Sequence, residues 1–352
     1  MSLFVQLRKS YKNFNLDIKV DNAGRTLGLL GASGCGKSLA LRCIAGIEKP
    51  DCGRIVLNGK TLFDSEKGIN LNARQRRVGM LFQNYALFPN MTARENIEAG
   101  ISKRRERRKT VEELAVLLRL EKKLNRYPGQ LSGGEQQRVA IARIMAYDPE
   151  ILLLDEPFSA LDSFLKEGLQ QEMLQVFHRY KGDVLMVSHS REELYRFCRT
   201  IAVMHKGKVI ELGDKEDIFQ RPANLTTAKL TGCKNISAAR RLSDHCVEAL
   251  DWKLRLRTAQ RVPEKTGFVG IRAHNIRPCT ADEESNAMPV IMEEIIEGPF
   301  ENKIILKLDG VSQGRCRITW IVSRQAWMSV YEEKPPEFIS FPEENILMMA
   351  GA

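Results

Sequence analysis

Apolar positions along the chain fall into three textures. From Ser2 to Val20 apolar and polar residues alternate in two short runs, as antiparallel strands with one solvated face do. Further on, Thr26–Leu30, Val78–Phe82, Ile151–Leu154 and Val184–Val187 are short, mostly apolar runs, the pattern of buried strands. Between the second and third of these, Thr92 to about Tyr127 has helical spacing, with Leu114, Leu117, Leu118 and Leu120 on one side. Gly53 to Gly59 reads as a strand ending in an Asn58-Gly59 turn, a strong hairpin signal. Ile201–Met204 and Lys208–Leu212 form a second hairpin through Lys206-Gly207. After about Thr231 short alternating runs (Lys253–Arg257, Phe268–Ile271, Lys303–Leu308) are separated by Pro, Gly and acidic turns, which predicts a small all-β barrel or sandwich. The polar stretch Pro278 to Asn286 reads as a loop between its halves.

Two places in this pattern carry chemistry. The strand Thr26–Leu30 runs directly into Gly31-Ala32-Ser33-Gly34-Cys35-Gly36-Lys37-Ser38, and a helix pattern, Leu39–Ala45, follows. This matches G-x-x-x-x-G-K-[ST] in its required context. Glycines let backbone N–H groups wrap phosphates, and a helix start favours negative charge. Lys37 is placed to reach the β- and γ-phosphates and Ser38 to ligate Mg²⁺. The second place is Leu131 to Asp162. Ser132 stands before a helically spaced run (Val139, Ala140, Ala142, Ile144, Met145) as an N-cap, and Gly133 and Gly134 allow close approach to an anion. The helix should stop near Tyr147-Asp148-Pro149. The buried strand Ile151–Leu154 then delivers Asp155 and Glu156, carboxylates that are costly there unless they meet a metal, a water or a polar partner.

Length and charge add constraints. At 352 residues the chain can build two domains. The formal net charge of +10 is densest at Lys103–Lys109. That run could hold nucleic acid or anionic headgroups, but the absence of interleaved aromatics favours a solvated helix face or loop. The eight cysteines show no metal-binding spacing, as expected of free thiols in a reducing compartment. MSLFVQLRKSYKNF has no signal-peptide h-region, and no apolar run approaches the length of a membrane span. Service to a membrane process would therefore require docking on other subunits.

Leu131 to Asp162 resembles the signature motif, Walker B strand and D-loop of ABC-type ATPases, in that family's order, with the P-loop upstream. The resemblance implies an α/β P-loop NTPase with an N-terminal antiparallel β subdomain over residues 1–230, and a helical subdomain at about 90–150. A small all-β OB/TOBE-like domain would follow over 231–352. It implies ATP and Mg²⁺ as ligands, cradled by Gly31, Ala32, Ser33, Gly34, Cys35, Gly36, Lys37 and Ser38. Asp155, Ser38 and Gln83 would hold the metal, Glu156 would act as general base on water, and His189 would contact the γ-phosphate. Gln83 would also touch the attacking water. An aromatic near the N-terminus would stack on adenine; Tyr11 is chosen over Phe14, with a core-packed strand aromatic as the alternative. Ser132, Gly133, Gly134 and Asp162 would act across a head-to-tail dimer, on nucleotide bound to a second copy. Residues after Gln83 would meet a short helix of a membrane permease, or else Tyr85, Leu87 and Phe88 are ordinary core.

Three kinds of work fit such an ATPase: a membrane importer, a soluble repair or translation factor, or a ligand-sensing module. A single nucleotide domain, a compact helical insert and an appended β domain match the layout of importer ATPases, on the cytoplasmic face of the membrane, with permease subunits and indirectly an extracytoplasmic solute-binding protein, and without nucleic acid. Gly53 to Gln83, notably Phe63–Ile69, is similar to the molybdate-importer ATPases, and Met288 to Trp320 resembles TOBE or molybdate-binding β domains. The latter part departs from them in lacking a clean set of Ser, Thr and turn residues to grip an oxyanion. Sulfate, polyamine and sugar uptake stand as alternatives to molybdate.

Overall fold

The computed structural model describes residues 2–22, 26–101, 107–159, 163–280, 285–309 and 317–350. Asp162, Cys316 and residues 103–106 of the basic run lie outside the described residues. The chain divides into two units, Met1–Lys215 and Glu216–Ala352.

In the first unit the alternating N-terminal runs form β1 (Leu3–Tyr11) and β2 (Phe14–Asn22), paired antiparallel end to end. Leu3, Val5, Leu7, Leu16, Ile18 and Val20 are buried on one face, the period of two of a half-solvated strand. β3 (Thr26–Gly31) leads into α1 (Lys37–Ala45). β4 (Cys52–Leu57) and β5 (Lys60–Asp64) form the Asn58-Gly59 hairpin, with Asn58 at φ 50° and Gly59 at φ 79°. β6 (Ile69–Asn70) and β7 (Val78–Leu81) follow. Next come α2 (Ala93–Glu98), α3 (Arg107–Leu117) and α4 (Gly133–Ala146). β8 (Ile151–Asp155), α5 (Ser163–Arg179), β9 (Asp183–Val187), α6 (Arg191–Phe197), β10 (Thr200–His205) and β11 (Lys208–Asp214) complete the unit.

Among the described residues these strands join one sheet in the order β6-β5-β4-β1-β2-β11-β10-β3-β9-β8-β7. Its β10-β3-β9-β8-β7 half is parallel. Every residue of β8 and β9 is buried, as expected of strands covered on both faces. The parallel register lines up the strand ends that matter: Leu29 with Val187, Val187 with Asp155, and Leu154 with Leu81. The residues that follow (Gly31, His189, Glu156, Gln83) therefore leave the sheet along one carboxyl edge, where open α/β sheets place ligands.

The segment expected to be helical from Thr92 to Tyr127 is broken into pieces. Thr92 caps α2 through a reciprocal capping box with Glu95, and Arg119 (φ 54°) ends the turn after α3. Gly100 lies between α2 and α3 because a Cβ there would stand 2.1 Å from the Arg143 carbonyl oxygen, so only glycine allows the backbones to approach.

In the second unit α7 (Lys215–Gln220) and α8 (Leu225–Leu230) precede the strands. These are β12 (Asn235–Ser243), β13 (Cys246–Ala249), β14 (Leu254–Arg257), β15 (Thr266–Ile271), β16 (Arg277–Cys279), β17 (Ala287–Ile296), β18 (Glu301–Leu308), β19 (Arg317–Ser323), β20 (Phe338–Ser340) and β21 (Leu347–Ala350). They form two antiparallel sheets, β14-β13-β12-β15-β21 and β16-β20-β17-β18-β19, around a core that includes Trp252, Val269, Ile271, Ile304, Leu306, Trp320 and Phe341. Asn235, 3% exposed, stitches the sheets by donating to the Thr319 carbonyl at 2.8 Å and accepting its N–H at 2.7 Å. The division falls after Lys215, and the short helices that follow pack with the strands of the second unit. Arg272 donates to the carbonyls of Phe219 and Thr231, and Ala228 shares a cluster with Cys233, Leu347 and Met349. The expected loop from Pro278 starts inside β16, which pairs with β20.

Candidate functional site

The P-loop is shaped by its glycines. Gly34 (φ 77°) and Gly36 (φ 103°) lie in the left-handed region, and a Cβ on Gly36 would stand 2.8 Å from Phe14 Cζ. Gly36 also occupies the cap position of α1 with no side-chain acceptor, so the first-turn amides stay open toward an anion. From the far hairpin the Gly207 N–H donates to the Cys35 carbonyl at 3.2 Å and closes the back of the loop. Ala32, Ser33 and Gly34 face solvent, while Cys35 and Lys37 are buried. Lys37 folds back on the loop, its Nζ donating to the Gly31 carbonyl at 2.8 Å and the Ala32 carbonyl at 3.0 Å.

The carboxylate pair has two environments. Asp155 accepts the Ser38 hydroxyl at 2.9 Å. Burial lifts its pKa above the usual carboxylate value; the Ser38 bond opposes this and the charge of Glu156 adds to it. Glu156 breaks the strand with a left-handed backbone (φ 48°) while its N–H still donates to the Val187 carbonyl at 3.0 Å. Its carbonyl accepts the Ser159 hydroxyl at 2.9 Å. That turn points the Glu156 carboxylate along the sheet edge, where Oε2 lies 3.4 Å from His189 Nδ1.

His189 sits between β9 and α6 in a loop held from behind. Ser190 caps α6, and the buried Ser188 hydroxyl donates to Glu193 Oε2 at 2.6 Å while accepting the Ser190 N–H at 2.9 Å. Gln83 is exposed just past β7, level in register with Glu156. The structure thus brings the P-loop, Ser38, Asp155, Glu156, His189 and the Gln83 position to one edge.

The other sequence candidates lie elsewhere. Ser132 caps α4, accepting the Glu135 N–H at 3.3 Å and donating its own N–H to Glu135 Oε2 at 2.9 Å. α4 ends at Ala146, where the proline signal placed it. Gly133 and Gly134 open that helix, and Asp162 is outside the described residues. Tyr11 is 47% exposed at the β1–β2 turn, with Lys9 Nζ 5.6 Å from its ring centre, whereas Phe14 packs against the core beside Gly36.

The stretch after Gln83 divides between the two readings. Tyr85 is core, 6% exposed, with its hydroxyl 3.4 Å from Gln137 Oε1. Phe88 is 47% exposed, and Phe82 and Met91 are exposed beside it in sequence. The neighbours separate because Tyr85 (φ 58°) and Ala86 (φ 45°) reverse the chain. Arg143 of α4 pins this reversal, donating to the Ala86 carbonyl at 2.8 Å and the Tyr85 carbonyl at 3.1 Å, with its guanidinium 5.1 Å from the Phe88 ring centre. Asn96, fully buried, bonds Phe88 on both its N–H and carbonyl.

Sequence reasoning missed Arg143, Asn96, Glu193 and Arg76. Arg76, 1% exposed, donates to the Cys43 and Ile44 carbonyls that close α1, and so holds the far end of the P-loop helix. Glu193 follows Ser190 at the S-x-x-E spacing of a helix start, a signal the sequence does carry, and Asn96 finds its partners within eight residues; Arg76 and Arg143 find theirs in other elements. Cys35, Cys43, Cys198 and Cys233 are buried free thiols, and burial pushes Cys43 and Cys198 up to about 12, far from thiolate reactivity.

A profile of the ABC transporter family matches residues 11–159. The chain is 35% identical over 329 residues to the spermidine/putrescine import ATP-binding protein PotA of Nitratidesulfovibrio vulgaris, covering 88% of this chain and 87% of that protein. It is 39% identical over 224 residues to a probable sulfate/thiosulfate import ATP-binding protein CysA of Chlorella vulgaris, covering 62% of this chain and 91% of that protein. To the Fe(3+) ions import ATP-binding protein FbpC of Escherichia coli O157:H7 it is 34% identical over 292 residues, covering 80% of this chain and 82% of that protein. Among solved structures it resembles the ATP-binding cassette MJ0796 in a dimeric post-hydrolysis state bound to ADP and Pi, with a TM-score of 0.51 and 30% identity over 61% of this chain and 99% of that one. A second dimeric structure of the same bacterial cassette aligns with a TM-score of 0.52. Among the described residues no helix is long and apolar enough to cross a membrane.

Proposed function

We propose, from the premise that the chain belongs to the ABC transporter ATP-binding family and is the ATPase subunit of an importer, that its carboxyl-edge cluster carries out ATP hydrolysis as follows. P-loop amides and Lys37 bind the β- and γ-phosphates, and Lys37 exchanges its loop carbonyls for phosphate oxygens. Glu156 takes the proton of the attacking water as general base, and His189 holds the γ-phosphate and Glu156 in register. The observation that carries this reading is the 3.4 Å approach of His189 to Glu156 at the edge that also holds the P-loop.

Mg²⁺ fits the donors present. Ser38 and Asp155 pair a hydroxyl with a carboxylate, an oxygen set of the kind Mg²⁺ shares with substrate phosphates, and Gln83 adds an amide oxygen. When bound there the ion neutralises charge on the β- and γ-oxygens. Tyr11, exposed and near the P-loop's neighbour Phe14, is the adenine platform. Ser132, Gly133, Gly134 and Asp162 serve nucleotide bound to a second copy, in line with the dimeric cassettes that the fold resembles. Closure of that dimer on ATP is then a population shift toward the state that binds nucleotide better. Phe82, Phe88 and Met91 offer an apolar docking face to a permease, on the cytoplasmic side of the membrane, with a solute-binding protein acting beyond it.

The cargo in this reading is molybdate or a related oxyanion, supported by the likeness of Phe63–Ile69 to molybdate importers and by the name of the sulfate/thiosulfate relative. A polyamine is the second reading, favoured by the long match to PotA. Purified chain is tested first for Mg²⁺-dependent ATP hydrolysis, with Glu156→Gln as control. Uptake of labelled molybdate and spermidine by cells with and without the chain then separates the two cargoes. A chain that binds no ATP defeats the reading altogether.

A further inference from the structure

Glu193 is a charged residue with 4% exposure in the first turn of α6. A buried carboxylate is costly unless its oxygens are shared out, and here both are. Oε2 accepts the Ser188 hydroxyl at 2.6 Å. Oε1 accepts Lys166 Nζ at 2.6 Å and the Gln170 amide at 3.4 Å. Lys166 and Gln170 lie one turn apart on α5, and Gln170 is oriented in turn by Arg196, which donates to its Oε1 at 2.8 Å. Capping of α6 needs none of this, because the Ser190 hydroxyl already accepts the Glu193 N–H at 3.3 Å.

The network holds the residues on either side of His189 in the chain. The His189 side chain is 65% exposed, so packing does not aim the ring at Glu156; the backbone of residues 188–190 does. The Ser190 cap holds one end of that backbone, and the Ser188 hydroxyl ties it further, bonding the Ser190 N–H on one side and Glu193 on the other. The Glu193 carboxylate joins this loop to α5 through Lys166 Nζ. α5 begins at Ser163, directly after the Asp162 segment.

We infer that Glu193 is a positioning residue for hydrolysis: it sets the His189 loop against Glu156, and through Lys166 it ties that setting to α5. The inference rests on the hydrolysis reading given above.

The full-length chain tests it with Glu193→Gln, Ser188→Ala, Lys166→Met and Lys166→Arg, each alone and combined with His189→Ala, in steady-state and single-turnover ATP hydrolysis. Glu193→Gln, Ser188→Ala and Lys166→Met are expected to lower kcat at least about tenfold with KM for ATP changed by less than about twofold, and Lys166→Arg to retain most activity. Combined with His189→Ala they are expected to add nothing, since they act through the histidine. Losses that multiply in the His189→Ala background, or a rise in KM at unchanged kcat, would overturn the inference. A second readout does not depend on turnover: in ¹⁵N-histidine spectra Glu193→Gln should move the His189 signals and leave those of His205 and His245 in place. Unmoved His189 signals refute the positioning role even if the wild type proves inactive, whereas an inactive wild type whose His189 signals do move refutes the hydrolysis reading and leaves Glu193 as the group that sets the loop.

Discussion

The Ser38 hydroxyl donates to Asp155 Oδ1 at 2.9 Å, joining the first turn of the P-loop helix to the end of a strand buried on both faces. The carboxylate so held is destabilised by its own burial, which lifts its pKa above the reference value of 3.8. A folded pKa above the unfolded one means that the native state binds the proton more tightly. Stability from this group is full below about pH 3.8 and is lost as the pH rises through the folded value. Asp155→Asn keeps an acceptor for Ser38 and removes the charge. It is expected to raise Tm of the nucleotide-free protein at pH 7 while abolishing Mg²⁺-dependent hydrolysis. A lowered Tm by calorimetry would show that the charge stabilises the apo fold.

Glu156→Gln leaves the left-handed turn and its Val187 bond in place, since both belong to the backbone. Loss of the base should reduce kcat by about 10²–10⁴-fold with nucleotide affinity little changed. Size exclusion with ATP should then show a dimer, because closure is no longer undone by turnover. A monomer under saturating ATP would mean that other subunits are required to pair the nucleotide domains.

Gly34→Ala and Gly36→Ala separate backbone strain from crowding. Nothing lies within 4 Å of a Cβ on Gly34, so only its φ of 77° opposes the change, about 1–2 kcal/mol. At Gly36 the same kind of strain is joined by contacts of 2.8 Å with Phe14 and 2.9 Å with Leu16. Gly36→Ala should therefore lose the larger stability in urea unfolding and weaken nucleotide binding more. Equal effects would argue against the Phe14 contact.

Arg143→Ala removes two hydrogen bonds to the carbonyls of Tyr85 and Ala86 together with the guanidinium over Phe88. Hydrogen bonds from a charged donor are worth about 1.5–3 kcal/mol each, so a loss of at least about 2 kcal/mol is expected. Hydrolysis by the isolated chain should fall less than permease-stimulated hydrolysis, since the damage is to the exposed face rather than to the carboxyl edge. Equal losses in the two assays would detach Phe88 from permease docking.

Much of the candidate site was legible in the sequence because most of it comes from two continuous stretches, to which Gln83 and His189 are added from the ends of two other strands. Gly31 to Ser38 and Ser132 to Glu156 each carry their strand, turn and helix signals in order, so local rules alone place the cap at Ser132 and the strand ending at Asp155. The supporting residues were not legible. Arg76 has the composition of a surface residue yet is 1% exposed, because its partners, Cys43 and Ile44, come from another element. Tyr85 and Phe88 carry the same aromatic signal, and only the positive φ of Tyr85 and Ala86, fixed from α4, sends one inward and the other out. The break between α2 and α3 likewise depends on how closely Gly100 approaches the Arg143 carbonyl.

The place of β3 in the sheet bears on the order in which the chain can assemble during synthesis. β3 has β9 on one side and β10 on the other: Thr26 meets Val184, and Leu27 meets Thr200. Gly207, later still, supplies the N–H that closes the loop at Cys35. The nucleotide-gripping strand is thus made early and has no strand neighbours until the ribosome has released most of the first unit. Until then the mostly apolar run Thr26–Leu30 is exposed, and long-range parallel pairing of this kind is slow and prone to aggregation. A nascent chain arrested before β10 emerges should not retain ATP, so nucleotide capture marks completion of the sheet.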